Sequence, residues 1–131
     1  MVNSKDIRNV ALLGHGSSGK TSLLEAALYL TKGSDRLGKV TDGTTVSDYD
    51  PEEIERGFSI AASLAPVLTD GKKINFIDTP GFLDFAGEVC QALRVVDTAL
   101  IVVNAKAGVE PGAEIAFDSA AEAGVSRAFF L

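Results

Sequence analysis

The chain has 131 residues, of which 46% are hydrophobic and 23% are charged, so it can form one globular domain and is not a disordered chain. Its formal net charge of −6 argues against a broad basic face for nucleic acid. The single cysteine, Cys90, excludes an internal disulfide, favours a reducing compartment and is expected to be a small buried hydrophobe on a helix. With no signal-peptide pattern and no apolar run of membrane-spanning length, we expect a cytoplasmic protein that binds no membrane.

The first chemical motif follows a short apolar strand over residues 8–13. Residues 14–21 read Gly-His-Gly-Ser-Ser-Gly-Lys-Thr, the pattern G-x-x-x-x-G-K-[ST] of a phosphate-binding loop. Its backbone N–H groups can surround a chain of phosphates, Lys20 reaches the β- and γ-phosphates, and the Thr21 hydroxyl is placed to ligate Mg²⁺. The residues predicted to bind the nucleotide here are Gly14, His15, Gly16, Ser17, Ser18, Gly19, Lys20, Thr21 and Ser22.

A helix is expected to follow this loop, from residue 19 to about residue 31, with Gly33 as its C-cap. The apolar residues that recur there at helical spacing are Leu23, Leu24, Ala27, Leu28 and Leu30. A helix N-terminus adds its positive end to a phosphate site. The strand–loop–helix context therefore favours a phosphate site over a glycine-rich turn that contains Lys-Thr by chance.

Residues 33–60 show little periodicity, and a loop this long in a compact domain is usually functional or disordered. One short helix is expected inside it, because Asp50 can cap, Pro51 suits the first helical position and Glu53 completes a capping box. The segment from residue 48 to residue 55 carries several carboxylates that could indicate a metal cluster. We favour the alternative, a solvated acidic face.

Two strands are expected next. Residues 60–68 alternate, and the residues placed on one side are Ile60, Ala62, Leu64 and Leu68. Pro66 removes a ladder donor and places this strand at a sheet edge. The dipeptide Asp70-Gly71 predicts a hairpin, so the strand over residues 73–77 should run antiparallel to it.

The rest of the chain alternates helices and strands. We expect a helix over about 84–95, a buried strand over 99–103, a helix over about 111–123 and a strand from 127. The apolar stripes expected on the two helices are Phe85, Val89, Ala92 and Val96, and Ala113, Ala116, Phe117, Ala120 and Ala121. This order predicts an α/β, three-layer P-loop NTPase fold, with a mostly parallel sheet and one antiparallel edge strand.

A second chemical motif, Asp78-Thr79-Pro80-Gly81, directly follows the strand over 73–77. A carboxylate in this position can hold Mg²⁺ opposite Thr21, and a glycine lets a backbone N–H approach a γ-phosphate. Asp-x-x-Gly is a common turn by itself, but its place after a strand and downstream of a phosphate loop makes it a useful signal.

Three segments together resemble the translational GTPases, specifically elongation factor G and its relatives: GHGSSGKTSLLEAALYL, LGKVTDGTTVSDYDPEEIERGFSI and FIDTPGFLDF. The resemblance implies a first switch over about 33–60, a second switch over about 78–95, GTP/GDP and Mg²⁺ as ligands, and the ribosome as partner. The rRNA would be met through the second switch and through domains outside this chain, and no DNA partner is implied.

The resemblance also implies roles for individual residues. The backbone of residues 16–20 and the Lys20 side chain bind phosphates, and Thr21, Ser59 and Asp78 serve the metal. Ser59 stands where the family has a threonine that closes on Mg²⁺ and the γ-phosphate. Catalysis would rest on Lys20, Ser59 and the Gly81 amide.

Three departures from the family pattern affect the expected activity. Phe82 stands where the family has the histidine that orients the attacking water, and Ser17 stands where the family usually has an aspartate. Loss of one such stabiliser typically costs about 10²–10³ in rate. The family also carries His15, for which we expect a role in loop packing. The guanine-reading motif Asn-Lys-x-Asp is absent and would begin after Leu131.

The sequence therefore predicts an incomplete GTP-binding domain over residues 1–131, truncated before its last strand and helix. Its apolar edge at 129–131 is expected to lower solubility. The favoured function is a GTPase that couples hydrolysis to switch movements on the ribosome. The alternative is a nucleotide-gated ribosome-binding protein that hardly hydrolyses GTP, because of Phe82. An ATP-using P-loop kinase shares the phosphate loop but does not explain the long first switch.

Overall fold

Five β-strands form one sheet in the computed structural model, which describes residues 2–131. The strands are β1 (Ile7–Leu13), β2 (Ser63–Thr69), β3 (Lys72–Asp78), β4 (Thr98–Val102) and β5 (Ser126–Phe130), in the spatial order β2-β3-β1-β4-β5. β1 pairs in parallel with β3 and β4, β4 pairs in parallel with β5, and β2 is antiparallel to β3. The α/β fold class predicted from the sequence, with its one antiparallel edge strand, is confirmed.

Helices cover both faces of this sheet. They are α1 (Lys20–Leu30), the short α2 (Pro51–Arg56), α3 (Ala86–Leu93) and α4 (Pro111–Glu122). Side chains of β1 alternate between the two faces: Leu12 packs with Leu24 and Leu28 of α1, whereas Ala11 and Leu13 lie in the core under α3 and α4. Because β1 is buried on both faces, it reads as an apolar run. Its carboxyl end, in the middle of the sheet, opens into residues 14–21.

The β2–β3 hairpin forms as predicted, and the side of β2 that carries Leu64 and Leu68 faces away from the core. Its buried residues are Ala65 and Val67, at 2% and 3% exposure, whereas Leu64 and Leu68 are 65% and 59% exposed. Ala65 and Val67 pack against α1 in the cluster around Leu12. The outward face of this edge strand lies on the α3 side of the sheet, where the two leucines are largely exposed.

Several helix details also differ from the predictions. At the end of α1, Lys32 rather than Gly33 adopts the left-handed conformation, with φ of 59°. The Gly33 N–H then bonds the Leu28 carbonyl at 2.8 Å, as in a Schellman motif. Leu30 is 79% exposed, and Cys90 is exposed rather than buried. In α4, Ala121 is exposed and Phe117 is 37% exposed, while Ala113, Ala116 and Ala120 are buried.

The long segment before β2 contains the predicted short helix. Asp50 caps α2 in a capping box with Glu53, and Pro51 occupies the first turn. A 3₁₀ turn over Val40–Asp42 precedes α2, and another over Leu83–Phe85 leads into α3. Among residues 2–131, none of the helices combines the length and the apolar content needed to cross a membrane.

The facing of β2 can be tested with two matched truncations. Val67→Ala should lower the free energy of unfolding by about 2 kcal/mol, because it removes two buried methyl groups and leaves a cavity. Leu68→Ala should change it by less than about 0.5 kcal/mol, because that side chain is mostly in solvent. Chemical denaturation of both variants measures the difference. A larger loss from Leu68→Ala would contradict the observed facing.

Candidate functional site

The loop over residues 14–21 connects the carboxyl end of β1 to the first turn of α1. Three of its residues have positive φ: Gly14 at 137°, Ser17 at 62° and Gly19 at 102°. A Cβ added to Gly14 would collide with the Val102 carbonyl oxygen of β4, so a side chain at this position is excluded by space as well as by φ. The backbone therefore curls as a phosphate-binding loop requires.

Lys20 lies at the centre of the loop with only 6% of its surface exposed. Its Nζ donates hydrogen bonds to the carbonyl oxygens of Gly14, at 3.2 Å, and His15, at 2.8 Å. Burial lowers the pKa of Lys20, and the nearby carboxylates of Asp78 and Asp48 oppose that shift. A buried ammonium group beside two loop carbonyls is a strong anchor for an anion brought to the same loop.

Two hydroxyl groups meet two carboxylates beside Lys20. The Thr21 hydroxyl donates to Asp78 Oδ2 at 2.7 Å, and the Ser59 hydroxyl donates to Asp48 Oδ1 at 2.7 Å. A hydroxyl has one proton to donate, and both protons are now directed at carboxylates. The oxygens of Thr21 and Ser59, 3.5 Å apart, therefore face each other with lone pairs. This chain of four side chains, Asp48–Ser59–Thr21–Asp78, is called the hydroxyl–carboxylate chain below.

The oxygen atoms of the hydroxyl–carboxylate chain form a donor set that fits Mg²⁺. All of its ligand atoms are hydroxyl or carboxylate oxygens, the type that Mg²⁺ prefers. Asp78 is 1% exposed, and its Oδ1 is buried without a hydrogen-bond partner within residues 2–131. The three residues predicted to serve the metal, Thr21, Ser59 and Asp78, are thus brought together by α1, the segment before β2 and the end of β3.

The acidic segment is the solvated face that we expected only in part, because Asp50, Glu52 and Glu55 are exposed but its other two carboxylates are buried. Asp48 and Glu53 are each 5% exposed. Burial raises the pKa of Asp48, while the hydrogen bond from Ser59 lowers it. Within residues 2–131, no three His, Cys, Asp or Glu side chains gather as a metal cluster either. The buried carboxylates instead accept hydrogen bonds: Glu53 Oε1 accepts the backbone N–H groups of Ile60, at 2.9 Å, and Ala61, at 3.1 Å.

Gly81 lies directly against the loop. A Cβ added to Gly81 would be 2.7 Å from the Gly16 backbone nitrogen and would collide with Lys20 Nζ, so only glycine fits. Thr79 holds this turn in place, because its buried hydroxyl donates to the Leu12 carbonyl of β1 at 2.7 Å. The backbone after β3 is therefore fixed beside the phosphate loop, as the predicted role of the Gly81 amide requires.

Phe82 forms an apolar wall on the same cleft. Its ring tip would be 3.0 Å from a Cβ added to Gly16, and its ring centroid is 4.7 Å from that of Phe58. Phe58 directly precedes Ser59, so this aromatic pair joins the segment before β2 to the turn after β3. The residues that line this cleft of about 310 Å³ include Gly16, Lys20, Thr21, Ser22, Ser59 and Gly81.

His15 turns away from the cleft towards α4. Its Nδ1 accepts the Gly112 backbone N–H at 3.3 Å, and its Nε2 lies 3.6 Å from Glu110 Oε1. A Cβ on Gly112 would be 2.7 Å from His15 Cα, so the histidine and the start of α4 are in close contact. This arrangement supports loop packing as the role of His15.

Sequence reasoning missed four residues of this site: Asp48, Phe58, Thr79, and Glu53 in its role as an acceptor of backbone N–H groups. The capping-box pattern identified Glu53 only as a helix-cap residue. Asp48 and Phe58 have no local pattern, because their partners Ser59 and Phe82 are brought together by the fold.

The sequence profile of the family described as "Elongation factor Tu GTP binding domain" matches residues 5–131. The chain belongs to this family. The resemblance to translational GTPases of the elongation factor G type, inferred from the motifs, is confirmed.

Relatives of this GTP-binding domain include elongation factor G 2 of Streptomyces coelicolor, 46% identical over 125 residues, and the elongation factor G-like protein of Mycobacterium tuberculosis, 42% identical over 125 residues. Each alignment covers 95% of this chain and 18% of the relative. A crystal structure of a Thermus thermophilus protein superimposes with a TM-score of 0.92 at 44% identity, over 94% of this chain and 19% of the other. The chain thus spans about a fifth of the length of its relatives.

The buried carboxyl group of Asp78 predicts a pH dependence of stability. Burial raises its pKa from 3.8 to about 6, although the Thr21 hydrogen bond and Lys20 act in the opposite direction. Between pH 4 and 6 the folded domain holds a proton that the unfolded chain has released, so this group's contribution to stability falls as pH rises, by up to about 1.4 kcal/mol per pH unit.

Asp78→Asn should remove this slope and make the metal-free, nucleotide-free domain more stable than the wild type at pH 7. The difference should shrink as the pH falls from 6 towards 4, because the buried Asp78 carboxyl is then protonated in the folded domain. Denaturant unfolding across this range, with EDTA present and nucleotide removed, measures both curves. Parallel curves for wild type and variant would contradict the raised pKa.

Proposed function

We propose that this chain is the GTP-binding domain of an elongation-factor-G-like translation GTPase. The observation that carries the proposal is the hydroxyl–carboxylate chain, because it connects Thr21 of the phosphate loop, Asp78 after β3 and Ser59 of the first switch at one point. In this proposal residues 1–131 belong to that domain as an incomplete part of it, the first switch covers about 33–60 and the second about 78–95.

Phosphate binding is assigned to the loop of residues 14–21. Its backbone N–H groups and the first turn of α1 would surround the β-phosphate, and Lys20 would add its charge to the β- and γ-phosphates. Thr21 and Ser59, with Asp78, would hold Mg²⁺, which when bound neutralises charge on the phosphate oxygens. The family match and the all-oxygen donor set support this assignment.

The γ-phosphate is the group that the two switches would detect. Ser59 would approach it from the first switch, and the Gly81 N–H from the second. When GTP reacts with water to give GDP and phosphate, both contacts are lost and the two segments can relax. Because these residues bind and orient rather than form covalent bonds, catalysis by Lys20, Ser59 and Gly81 would be positional and electrostatic.

The rate of this hydrolysis is a separate question, and Phe82 favours a second candidate function. The side chain after Gly81 is a phenyl ring packed on Gly16 and Phe58, and it can neither donate nor accept a hydrogen bond to orient water. The second candidate is therefore a nucleotide-gated ribosome-binding protein with little hydrolysis. Ribosome-stimulated phosphate release from the full-length protein distinguishes the two functions.

The partner and the compartment follow from the same family membership. We propose the ribosome, contacted by its rRNA through the second switch, as the partner of a cytoplasmic protein. The chain has no Asn-Lys-x-Asp sequence to read guanine. Competition between labelled GTP and unlabelled ATP in the full-length protein measures base preference, and equal competition by ATP would favour a different P-loop enzyme.

Lys20→Ala should abolish tight nucleotide binding, because it removes the one ammonium group buried in the loop. We expect a loss of at least about 100-fold in affinity for GDP, consistent with a charge-assisted contact in a buried site. Titration with a fluorescent GDP measures the change. Lys72→Ala, at an exposed lysine on β3, is the control and should bind as the wild type does. Unchanged affinity in Lys20→Ala would overturn the assignment.

Phe82→His should raise the rate of ribosome-stimulated hydrolysis, by up to about 10²–10³ if a water-orienting group is all that is missing. Affinity for GDP should stay within a few-fold, because the change lies outside the loop that binds the β-phosphate. Single-turnover phosphate release with saturating ribosomes measures the rate. No gain would mean that another residue orients the water, or that Ser17 also limits the reaction.

A further inference from the structure

Glu25 of α1 is a fully buried carboxylate, with 0% of its surface exposed. Its Oε1 accepts the backbone N–H of Val46 at 2.6 Å. On its other side Gly38 approaches so closely that an added Cβ would be 2.8 Å from the Glu25 carboxyl carbon. Glu25 thus contacts the first switch at two points, eight residues apart in sequence.

The segment between these two points is a closed loop. The Thr44 N–H bonds the Lys39 carbonyl at 3.2 Å, and the Lys39 N–H bonds Thr44 Oγ1 at 3.1 Å. The carboxylate of Glu25 therefore lies at the base of this loop, between its first residue, Gly38, and its last residue, Val46. Displacing Val46 from Glu25 would release the loop as a unit.

Glu25 is also one helical turn from Thr21, so both side chains lie on the same face of α1. Val46 is two residues from Asp48, which accepts the hydroxyl of Ser59, and Ser59 faces Thr21. The hydrogen bond from Val46 to Glu25 therefore fixes the position of the segment that carries Asp48 relative to Thr21, which lies on the same helix as Glu25.

We propose that Glu25 is a positioning residue that holds the first switch on α1, so that Asp48 and Ser59 can reach the Mg²⁺ and γ-phosphate site. This inference rests on the proposed function, because the switch acts only on a bound nucleotide. Glu25 does not touch the phosphate loop itself. Its loss should weaken binding of the triphosphate, which needs the closed switch, and leave binding of the diphosphate to residues 14–21 intact.

Burial of an acidic side chain in a helix is costly unless it accepts hydrogen bonds, so a leucine at this position would suit packing alone. A purely structural role would change the stability of the domain and the affinities for both nucleotides equally. A positioning role changes their ratio. The two roles therefore predict different results from one set of variants.

The test compares Glu25→Leu, which keeps the volume and removes the acceptor, with Glu25→Gln, which keeps an acceptor oxygen. Affinities for GDP and for the non-hydrolysable analogue guanosine imidotriphosphate are measured in the full-length protein with Mg²⁺. Glu25→Leu should lower the preference for the triphosphate by about tenfold or more, the scale of one charge-assisted hydrogen bond, and Glu25→Gln by less than about threefold. Affinity for GDP should stay within about threefold in both variants.

A second measurement follows the switch directly. Two exposed trypsin sites report on this segment: Lys39, in the loop that Glu25 holds, and Arg36, two residues before it. With the triphosphate analogue bound, cleavage there should be slow in the wild type and in Glu25→Gln, and fast in Glu25→Leu. Val46→Pro removes the N–H donor without changing α1, and it should behave like Glu25→Leu even if that variant folds poorly.

Asp97→Leu is the matched control, because Asp97 accepts the Asn9 backbone N–H at 2.8 Å far from the switch. It should leave the nucleotide preference and the cleavage rate unchanged. A wild-type preference and slow cleavage in both Glu25→Leu and Val46→Pro would overturn this inference alone. A wild-type protein that binds neither GDP nor the analogue would overturn the proposed function, and the inference with it.

Discussion

The nucleotide site of this domain is arranged around one buried carboxyl group, Asp78. It lies at the end of β3 with 1% exposure, where a lone charge would be strongly disfavoured. Three elements stabilise it together: the Thr21 hydroxyl of α1, the ammonium group of Lys20 and the parallel pairing of β3 with β1. The loop of residues 14–21 and the end of β3 must both be in place around this carboxylate. The order of the strands and the nucleotide site therefore result from the same packing.

Local patterns predicted the parts of the fold that depend on neighbouring residues. The phosphate loop, the Asp70-Gly71 hairpin and the Asp50 capping box are all set by backbone conformation within a few residues, and all three are present. The sequence did not predict which face of β2 meets the core, because apolar residues lie on both sides of this strand. Small Ala65 and Val67 fit against α1, and nothing in the local sequence distinguishes them from the exposed leucines.

The residues of the site also fall into those that local patterns predicted and those that they did not. Thr21, Ser59 and Asp78 were identified because motifs mark them, and the fold brings their oxygens together. Asp48, Glu53 and Glu25 were not. The fold brings Asp48 to the Ser59 hydroxyl, and the partners of Glu53 and Glu25 are backbone N–H groups, which leave no side-chain pattern in the sequence. An acidic run reads as a solvated face until the fold shows which members are buried. Glu25 had one available signal: an acidic residue one helical turn from Thr21, among apolar neighbours.

Carboxylates explain how the segment before β2, which we propose as the first switch, is ordered with so little regular structure. Its fixed points are hydrogen bonds from single backbone N–H groups: Val46 to Glu25, Ile60 and Ala61 to Glu53, and Ala62 to Glu88 at 2.8 Å. Such bonds are individually modest, so a segment held by them would be released readily if it acts as the proposed switch and loses a γ-phosphate contact. The Phe58–Phe82 pair adds an apolar contact between this segment and the turn after β3. In the proposed function, an aromatic contact that keeps the two switches together without orienting water would favour a long-lived triphosphate state. The identity of residue 82 would then affect both how firmly the switches close and how fast they are released.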